Sequence, residues 1–367
     1  MSHQAFFVAS TGQHVGKTTT CLGLVSGMKK RFKDVGFLKP LGQETLLSQE
    51  GVLVDKDVIL FKDYFGLQDP YEMMSPVVFS KGFTKDFLNG EISLSDLKEL
   101  VNTCYHHLCE HNQALIVEGT GHVGVGSIAY LNNAEVASLL NIPMVLIASG
   151  GIGSCFDSLA LNKGLCDLHG AKIAGVILNK VVEEKKEMIV DYMQKSLKRW
   201  DLPLLGVIPY DAFLSNPTFS DYATLFKQEI LSGDSYKLRH FKHRRLIATS
   251  VEVYETLIVP SQLIITPASR EDIILATLAK QQDLGFDLEG GMILTGMIPP
   301  KPFIIEKLKK AGFPTFYTPT NTFNTMIMIS SYTSKLRKED LPRVHEAIKV
   351  VEAHVDFDLL LNRVSKC

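Results

Sequence analysis

Residues 5–20 read Ala-Phe-Phe-Val-Ala-Ser-Thr-Gly-Gln-His-Val-Gly-Lys-Thr-Thr-Thr, and this stretch decides the fold class. Its apolar run predicts a buried strand, the following turn contains glycine, and the apolar positions after Thr18 are spaced as in a helix. The backbone N–H groups of such a turn and of the first helical turn point at one place, where a phosphate is stabilised. The stretch therefore predicts a phosphate-binding loop, with Lys17 on the terminal phosphates and the Thr18 hydroxyl on Mg²⁺.

The loop departs from the strict pattern at one position. That pattern has its first glycine at the position of Thr11, whereas this chain has the glycine at Gly12. A chance Gly-Lys-Thr in an ordinary turn is the alternative, and the flanking strand and helix argue against it. We expect ATP as the ligand, together with Mg²⁺. The predicted nucleotide-binding residues of the loop are Gly12, Gln13, His14, Val15, Gly16, Lys17, Thr18 and Thr19.

Outward from this loop, short apolar runs alternate with helical patterns over residues 1–228. This alternation is typical of an α/β fold with a mostly parallel sheet and helices on both faces. We therefore assign residues 1–228 to a nucleotide-binding domain, whose ligands would collect at the carboxyl ends of the strands. The strands predicted after the first are residues 35–40, 114–117, 144–148, 174–178 and, at one edge, 204–209.

Charged residues follow several of these strands. Lys39 ends the second one and would neutralise a transferring phosphoryl group or hold an anionic substrate, unless it is simply solvated. Glu118 ends a fully apolar strand, where a buried carboxylate needs a cation such as the Mg²⁺ of the loop. Either Asp55 or Asp57 could complete the metal shell, although acidic residues at a helix start also stabilise the helix dipole.

An asparagine completes the predicted site. Asn179 ends the fifth strand, and its amide could read the edge of an adenine or guanine base; an ordinary turn residue is the alternative. Together these positions form three groups of predicted site residues. They are Lys17 and Lys39 as catalytic residues, the loop residues with Asn179 as nucleotide ligands, and Thr18, Glu118 and either Asp55 or Asp57 as metal ligands.

The composition is that of a globular protein, with 46% hydrophobic residues, 21% charged residues and a net charge of −2. A nearly neutral chain has no broad attraction for nucleic acids or anionic membranes. Six cysteines without Cys-x-x-Cys spacing predict reduced thiols, and no segment reads as a secretion signal or a membrane span. We therefore expect a cytoplasmic protein that binds neither nucleic acid nor membrane.

Residues 229–245 are polar and basic, and we place the domain boundary there. Their basic cluster could contact a phosphate or a nucleic acid, but a solvated linker agrees better with the neutral balance elsewhere. A smaller α/β domain is predicted at residues 246–367. Its predicted strands are residues 263–266, 291–296 and 315–317, and its predicted helices are residues 271–280 and 303–311.

These motifs together resemble the dethiobiotin synthetase group of P-loop proteins and, more closely, the N-terminal half of long bacterial phosphotransacetylases. Val15-Gly16-Lys17-Thr18 matches the end of the dethiobiotin synthetase loop. The resemblance implies a P-loop NTPase-type sheet, and it implies roles for the matching residues. They are Lys39-Pro40 as the substrate lysine, Asp57 as the Mg²⁺ aspartate, Glu118-Gly119 as the Mg²⁺ glutamate and Asn179 as the asparagine that reads adenine.

The residues that act on the substrate in dethiobiotin synthetase are matched less well in this chain than the residues that bind the nucleotide. Gln13 replaces a threonine of the dethiobiotin synthetase loop, and Gln43 stands where that family has serine. The segment Glu118-Gly119-Thr120-Gly121-His122 departs from that family's Glu-Gly-Ala-Gly-Gly. We therefore expect ATP binding to be retained more readily than the carboxylation of diaminopelargonate.

The second unit resembles the DRTGG domain that follows the P-loop domain in long phosphotransacetylases. The resemblance lies in residues 263–273, 293–296 and 320–323, with Ser269 in place of the usual aspartate before Arg270. The long enzymes continue into an acetyltransferase domain, whereas this chain stops at Cys367. We therefore expect no phosphate acetyltransferase activity from this polypeptide alone.

Three hypotheses about function follow. The first is a sensor or regulatory protein in which Mg–ATP changes packing against the DRTGG-like domain, and through it a homo-oligomer or a partner. The second is an ATP-dependent ligase of the dethiobiotin synthetase or cobyrinic acid amide synthase type, which uses Lys17 and Lys39 on an unknown small carboxylate or amine. The third, a module whose loop binds nothing, is disfavoured by the intact Lys17-Thr18 pair.

Overall fold

The computed structural model of the chain describes residues 4–365. Its strands are β1 (Gln4–Ser10), β2 (Val35–Leu38), β3 (Leu41–Gly42), β4 (Thr45–Leu47), β5 (Leu53–Asp55), β6 (Val77–Val78), β7 (Ala114–His122), β8 (Met144–Ser149), β9 (Ile173–Val181), β10 (Leu204–Pro209), β11 (Ile230–Ser232), β12 (His243–Leu246), β13 (Gln262–Pro267), β14 (Gly291–Thr295) and β15 (Thr315–Thr318). Its α-helices are α1 (Lys17–Lys29), α2 (Lys56–Phe65), α3 (Tyr71–Met74), α4 (Phe83–Leu88), α5 (Leu94–His111), α6 (Asn133–Leu139), α7 (Gly153–His169), α8 (Lys186–Leu197), α9 (Phe219–Phe226), α10 (Val251–Glu255), α11 (Glu271–Leu284), α12 (Pro302–Ala311), α13 (Thr322–Ser331), α14 (Leu341–His354) and α15 (Phe357–Val364).

The chain divides into two compact units. The first comprises residues 4–211 together with residues 336–365, and the second comprises residues 212–335. This division differs from the expected one, in which residues 246–367 formed one domain. The difference arises because α14 and α15 pack against α1, β1, β9 and β10 and so complete the first unit. The second unit is therefore an insertion between two segments of the first.

The sheet of the first unit is parallel throughout and confirms the predicted α/β class. Its strand order is β10-β9-β8-β1-β7-β2. The central strands are continuous apolar runs because helices cover both faces of the sheet, and every residue of β1 from Ala5 to Ser10 is buried. This topology brings the carboxyl ends of β1, β2 and β7 next to one another.

Helix α1 packs against α14, which also contacts β10 of the sheet. Two glycines in α1 permit the close approach of the two C-terminal helices: a Cβ added at Gly23 would lie 2.3 Å from Val351 Cβ in α14, and one added at Gly27 would lie 2.1 Å from Phe357 Cζ in α15. Buried side chains occur around the whole of α1 rather than along one stripe. The helix that begins at the phosphate-binding loop is therefore enclosed by the chain's own C-terminal segment.

The second unit contains a five-stranded sheet with the order β11-β15-β14-β13-β12, antiparallel only at β11. Alternate residues of its strands face two separate cores, as Ile264 on one face and Leu263 on the other illustrate. The two edge strands, β11 and β12, lie within or beside the segment 229–245. The prediction of that segment as a linker is therefore wrong, because its backbone forms β11, which pairs with β15, and most of β12, which pairs with β13.

None of the helices within residues 4–365 is both long enough and apolar enough to cross a bilayer.

Candidate functional site

Five of the predicted site residues come together at the carboxyl edge of the first sheet. Lys39 follows β2, and Glu118 lies in β7. Lys17 and Thr18 begin α1 directly after the loop that leaves β1, and Asp57 lies in the first turn of α2. Because parallel strands end at the same edge, residues far apart in the chain meet there.

The loop between β1 and α1 has a shape that favours glycine at position 16. Gly16 has a φ of 99°, in the left-handed region, and a Cβ there would lie 2.2 Å from Asn179 Nδ2. Lys17 Nζ donates to Ser10 Oγ at 2.9 Å and to the carbonyl oxygen of Gly121. The Lys17 ammonium is thus held between the ends of β1 and β7.

The surroundings of the Lys17 ammonium favour contact with an anion. Burial lowers the pKa of Lys17 to about 8, the attraction of Glu118 raises it, and the repulsion from Lys39 lowers it further. A partly desolvated ammonium gains more from a phosphate than an exposed one does, because less water has to be displaced. The Lys17 ammonium would therefore be stabilised by an anionic partner.

A buried ion cluster adjoins Lys17. Lys39 Nζ lies 2.9 Å from Asp57 Oδ2 and 2.9 Å from Glu118 Oε1. Thr18 Oγ1 lies 3.4 Å from the same Asp57 oxygen and 3.2 Å from the same Glu118 oxygen. The side chains of Lys39 and Glu118 are only 5% and 1% exposed, so water does not screen this pair. Each charge of the cluster depends on the others, because an unpaired buried charge is strongly destabilising.

The pKa values of this cluster follow from burial and from the shared lysine. Burial alone would lower the pKa of Lys39, but Asp57 and Glu118 outweigh it and hold that pKa well above its ordinary value. Burial also opposes ionisation of Asp57, yet Lys39 keeps the pKa of Asp57 below its usual range. The pKa of Glu118 is raised, because burial outweighs the attraction of Lys39. Among the described residues, Glu118 Oε2 is buried without a hydrogen-bond partner. Glu118 is therefore the carboxylate with most to gain from another cation.

These residues could hold a hard divalent cation. Thr18, Asp57 and Glu118 offer oxygen ligands, which Mg²⁺ prefers, and the orphaned Glu118 oxygen has capacity for one more partner. Within residues 4–365 no group of three or more His, Cys, Asp or Glu side chains is arranged to hold a metal by itself. A metal here would need phosphate oxygens and water to complete its shell.

Asp55, the other carboxylate considered for the metal, has a structural role instead. It caps α2, with Oδ1 accepting from the backbone N–H of Asp57 at 3.0 Å. Its Oδ2 accepts from the backbone N–H groups of Gln43 at 3.0 Å and Glu44 at 3.4 Å. Both oxygens of Asp55 are thus occupied, and Asp57 is the carboxylate of this pair that reaches Thr18 and Lys39.

Asn179 holds the loop in place. Its Nδ2 donates to the carbonyl of Val15 at 2.8 Å, and its Oδ1 accepts from the backbone N–H of Lys180 at 2.8 Å. Lys180 Nζ donates to the carbonyl of His14 at 2.7 Å, which ties the same loop to β9 a second time. The predicted contact of Asn179 with a base stays a prediction. The other loop residues differ in exposure: Gln13 and His14 are exposed, Val15 is buried, and Gly12 and Thr19 are half-buried.

Sequence reasoning missed several supporting residues. Ser10 and Lys180 hold Lys17 and the loop, as described above, and Asn133 clamps the strand end after Glu118. Asn133 Oδ1 accepts from the backbone N–H of Thr120 at 3.2 Å, and its Nδ2 donates to the carbonyls of Thr120 and His122. The signal that could have located this helix start is Asn132-Asn133-Ala134-Glu135, since Asn132 and Glu135 form a capping box at α6.

Replacement of Gly16 tests the loop geometry. We expect Gly16→Ala to destabilise the protein by about 1–3 kcal/mol, because the left-handed backbone and the contact with Asn179 both oppose a Cβ. Urea unfolding measures the change. The matched control is Gly164→Ala in α7, where a Cβ meets no atom within 4 Å, so that alanine should stabilise by up to about 1 kcal/mol. Equal effects of the two substitutions would contradict this description of the loop.

Two family models match the chain in the order that the sequence analysis expects. Residues 4–218 match the family described as AAA domain, and residues 221–332 match the DRTGG domain. The phosphate acetyltransferase of Pseudomonas aeruginosa is 26% identical over 375 residues, which cover 98% of this chain and 52% of that protein. The phosphate acetyltransferase of Nitrosomonas europaea is also 26% identical, over 98% of this chain and 51% of its own length. The chain spans about half the length of these curated relatives.

Among solved structures, a putative plasmid partition protein from Borrelia burgdorferi bound to AMPPNP is similar, with a TM-score of 0.40 and 13% identity. The similarity covers 58% of this chain and 90% of that one. The family matches confirm the resemblance derived from the motifs. The chain belongs to the AAA-domain family, in the dethiobiotin synthetase-like form that is followed by a DRTGG domain, an architecture shared with the N-terminal half of phosphate acetyltransferases.

Proposed function

We propose that this chain binds Mg–ATP at the loop before α1 and acts as a nucleotide-dependent regulatory protein. The observation that carries the proposal is the convergence of Lys17, Thr18, Asp57 and Glu118, from three separate segments, at the start of one helix. A helix N-terminus beside a glycine-containing loop is a favourable site for phosphate.

Each residue has a distinct part in this proposal. Lys17 would exchange its bonds to Ser10 and Gly121 for the terminal phosphates, while the loop N–H groups orient them. Thr18, Asp57 and Glu118 would hold Mg²⁺, which when bound neutralises phosphate charge and fixes the orientation of the phosphates. Asn179 and Lys180 would keep the loop in the conformation that receives the nucleotide.

The position of Lys39 favours regulation over substrate turnover. A lysine that binds an anionic substrate needs a free ammonium, whereas Lys39 is bound to two carboxylates and almost fully buried. We further propose that nucleotide occupancy is communicated to a homo-oligomer or a partner protein in the cytoplasm. Sedimentation of the full chain with and without Mg–ATP would reveal a nucleotide-dependent change of assembly.

The second candidate function is an ATP-dependent ligase that acts on a small carboxylate or amine. The observation in its favour is the proximity of Lys39 to Thr18 through the shared carboxylates, since a freed Lys39 could stabilise phosphoryl transfer. This function predicts ADP release that rises when the correct small acid or amine is added and disappears in Lys17→Ala. Slow ADP release that no metabolite stimulates favours the regulatory function.

Calorimetric titration of the full chain tests the proposal. We expect saturable binding of ATP in the presence of Mg²⁺, and the comparison with GTP reports base preference. A metabolite panel that includes acetyl phosphate and coenzyme A esters is appropriate, because the relatives are named phosphate acetyltransferases. If no nucleoside triphosphate binds in the presence of Mg²⁺, the proposed function is wrong.

The pKa of Lys17 makes nucleotide affinity depend on pH. In the free protein this pKa is lowered to about 8, so the ammonium loses its proton as pH rises through that value. A bound triphosphate is anionic and raises the pKa again, so binding takes up a proton above about pH 8. We expect affinity for ATP to be nearly constant at pH 7–7.5 and to fall by up to about tenfold per pH unit between pH 8.5 and 10.

Titration calorimetry at several pH values, in two buffers of different ionisation enthalpy, measures both the affinity and the proton uptake. Lys17→Arg is the matched control, because arginine stays charged over this range and should show no proton uptake. An affinity that stays constant up to pH 10 in the unmodified protein would contradict the assignment of Lys17 to the phosphate site.

A further inference from the structure

We propose that Lys39 is a resident counter-cation, which occupies the carboxylates of the candidate metal site and must leave them before a divalent cation can use them. The site would then admit metal only together with the phosphates of a nucleotide. This inference rests on the proposed function only insofar as the same side chains take both metal and nucleotide, and it concerns how that site is regulated.

The first support is that Lys39 and a metal compete for the same atoms. Lys39 Nζ lies 2.9 Å from Asp57 Oδ2 and from Glu118 Oε1, and these are the two oxygens that Thr18 Oγ1 also approaches. A cation held by Thr18, Asp57 and Glu118 would therefore stand next to the Lys39 ammonium. Two cations in one buried place repel each other strongly, because little water screens them.

The second support is the charge balance of the cluster. Asp57 and Glu118 carry two negative charges, the buried Asp55 nearby adds a third that also attracts Lys39, and Lys39 with the neighbouring Lys17 carries two positive charges. A free divalent cation would leave an excess of buried positive charge. The phosphates of a nucleotide would cancel that excess and give both lysines an anionic partner. Metal and nucleotide together thus satisfy the cluster, whereas metal alone does not.

The third support is the number of protein ligands. The protein supplies three oxygen-bearing side chains, those of Thr18, Asp57 and Glu118. An octahedral Mg²⁺ shell needs more oxygen ligands than these three. Among residues 4–365 no further acidic, histidine or cysteine side chain completes a metal-binding group there. The protein part of the site is therefore too small to bind a metal against the competition of Lys39.

The test is a titration of the full chain with Mn²⁺ in the absence of nucleotide. The electron paramagnetic resonance signal of free Mn²⁺ measures how much of the metal is bound. The unmodified protein should bind no measurable Mn²⁺ in the absence of nucleotide. Lys39→Met, which keeps the length of the side chain without its charge, should bind one Mn²⁺ without nucleotide, at least about a hundredfold more tightly than the unmodified protein. Thermal unfolding gives a second measurement, since Mg²⁺ should stabilise Lys39→Met but not the unmodified protein.

Two further variants keep the result interpretable. Lys39→Gln retains a hydrogen-bond donor for the carboxylates and should behave like Lys39→Met, so it replaces that variant if Lys39→Met does not fold. Lys39→Met combined with Glu118→Gln removes one cation and one carboxylate and should lose the nucleotide-independent Mn²⁺ site. Loss of Mn²⁺ binding in this double variant would show that Lys39→Met creates the site by releasing the carboxylates and not by a general change in the protein.

Two outcomes would overturn the inference. One is Mn²⁺ binding to the unmodified protein without nucleotide as tight as that to the neutral variants. The other is no gain of Mn²⁺ binding in folded Lys39→Met or Lys39→Gln. Failure of the proposed function gives a different result, because Mg–ATP then fails to bind the unmodified protein while the nucleotide-free Mn²⁺ titrations still decide the role of Lys39.

Discussion

Truncation of the chain after Lys335 is expected to leave the first unit without a stable fold. The removed helices α14 and α15 bury Val344, Val351, Phe357 and Leu360 against α1 and the sheet. Each of these side chains stabilises the fold by about 2 kcal/mol. Their combined contribution is comparable with the free energy of unfolding of a whole domain, about 5–15 kcal/mol. The fluorescence of Trp200, the single tryptophan of the chain, should show no cooperative unfolding transition in urea.

The fluorescence of Trp200 reports on the correct unit, because its ring stacks on Phe156 at 4.3 Å within the first unit. The control is a chain in which residues 212–335 are replaced by a Gly/Ser linker of about 20 residues, long enough to span a small domain. This chain keeps α14 and α15 and should unfold cooperatively and bind Mg–ATP. A truncated chain with the same urea midpoint as the full protein would show that α14 and α15 are not part of the first unit's core.

Lys17→Ala is expected to abolish stabilisation by ATP. A ligand present at a hundredfold excess over its dissociation constant stabilises the folded state by about 2.7 kcal/mol, and this entire increment should disappear. The reason is that Lys17 supplies the cation between the ends of β1 and β7, where the terminal phosphates are proposed to lie. Thermal or urea unfolding with and without Mg–ATP measures the effect.

The nucleotide-free stability of Lys17→Ala serves as an internal control. Because burial opposes the charge of Lys17, its removal should change stability by no more than about 1 kcal/mol. Lys195→Ala is the matched variant, since Lys195 is an exposed lysine of α8 that pairs only locally with Asp191. Lys195→Ala should retain the full ATP-dependent shift. An unchanged shift in Lys17→Ala would refute the assignment of the loop.

The local order of strand, loop and helix was readable from residue types. The apolar runs that became β1, β7, β8 and β9 were predicted within a few residues of their observed bounds, because strands buried on both faces are apolar throughout. Asn321 is a residue type that favours a helix N-cap, and its side chain caps α13 by accepting from the backbone N–H of Asn324. The grouping of Lys39, Asp57 and Glu118 beside Thr18 also followed from the rule that ligands collect at the carboxyl edge of a parallel sheet.

The partners of these charges were not readable in the same way. The residue pattern leaves Asp55 and Asp57 as equal candidates, and at that stage only the family resemblance favours Asp57. The turn that brings the N–H groups of Gln43 and Glu44 to Asp55 gives the structural reason. Lys39 was expected to face a substrate, whereas the fold closes it onto Asp57 and Glu118. Side-chain pairing of this kind depends on distances of a few ångströms between segments far apart in the chain.

Residue pattern alone determined that this protein has a phosphate-binding loop on a parallel α/β sheet and a second α/β unit, because periodicity and local turn chemistry record burial and backbone shape. The tertiary structure decided that residues 336–365 complete the first unit and that residues 229–245 belong to the sheet of the second. An apolar face shows that a helix is covered but does not name the segment that covers it. Gly23 in α1 admits α14 at close range and Gly27 admits Phe357 of α15, and this long-range complementarity is a property of two surfaces rather than of either sequence segment.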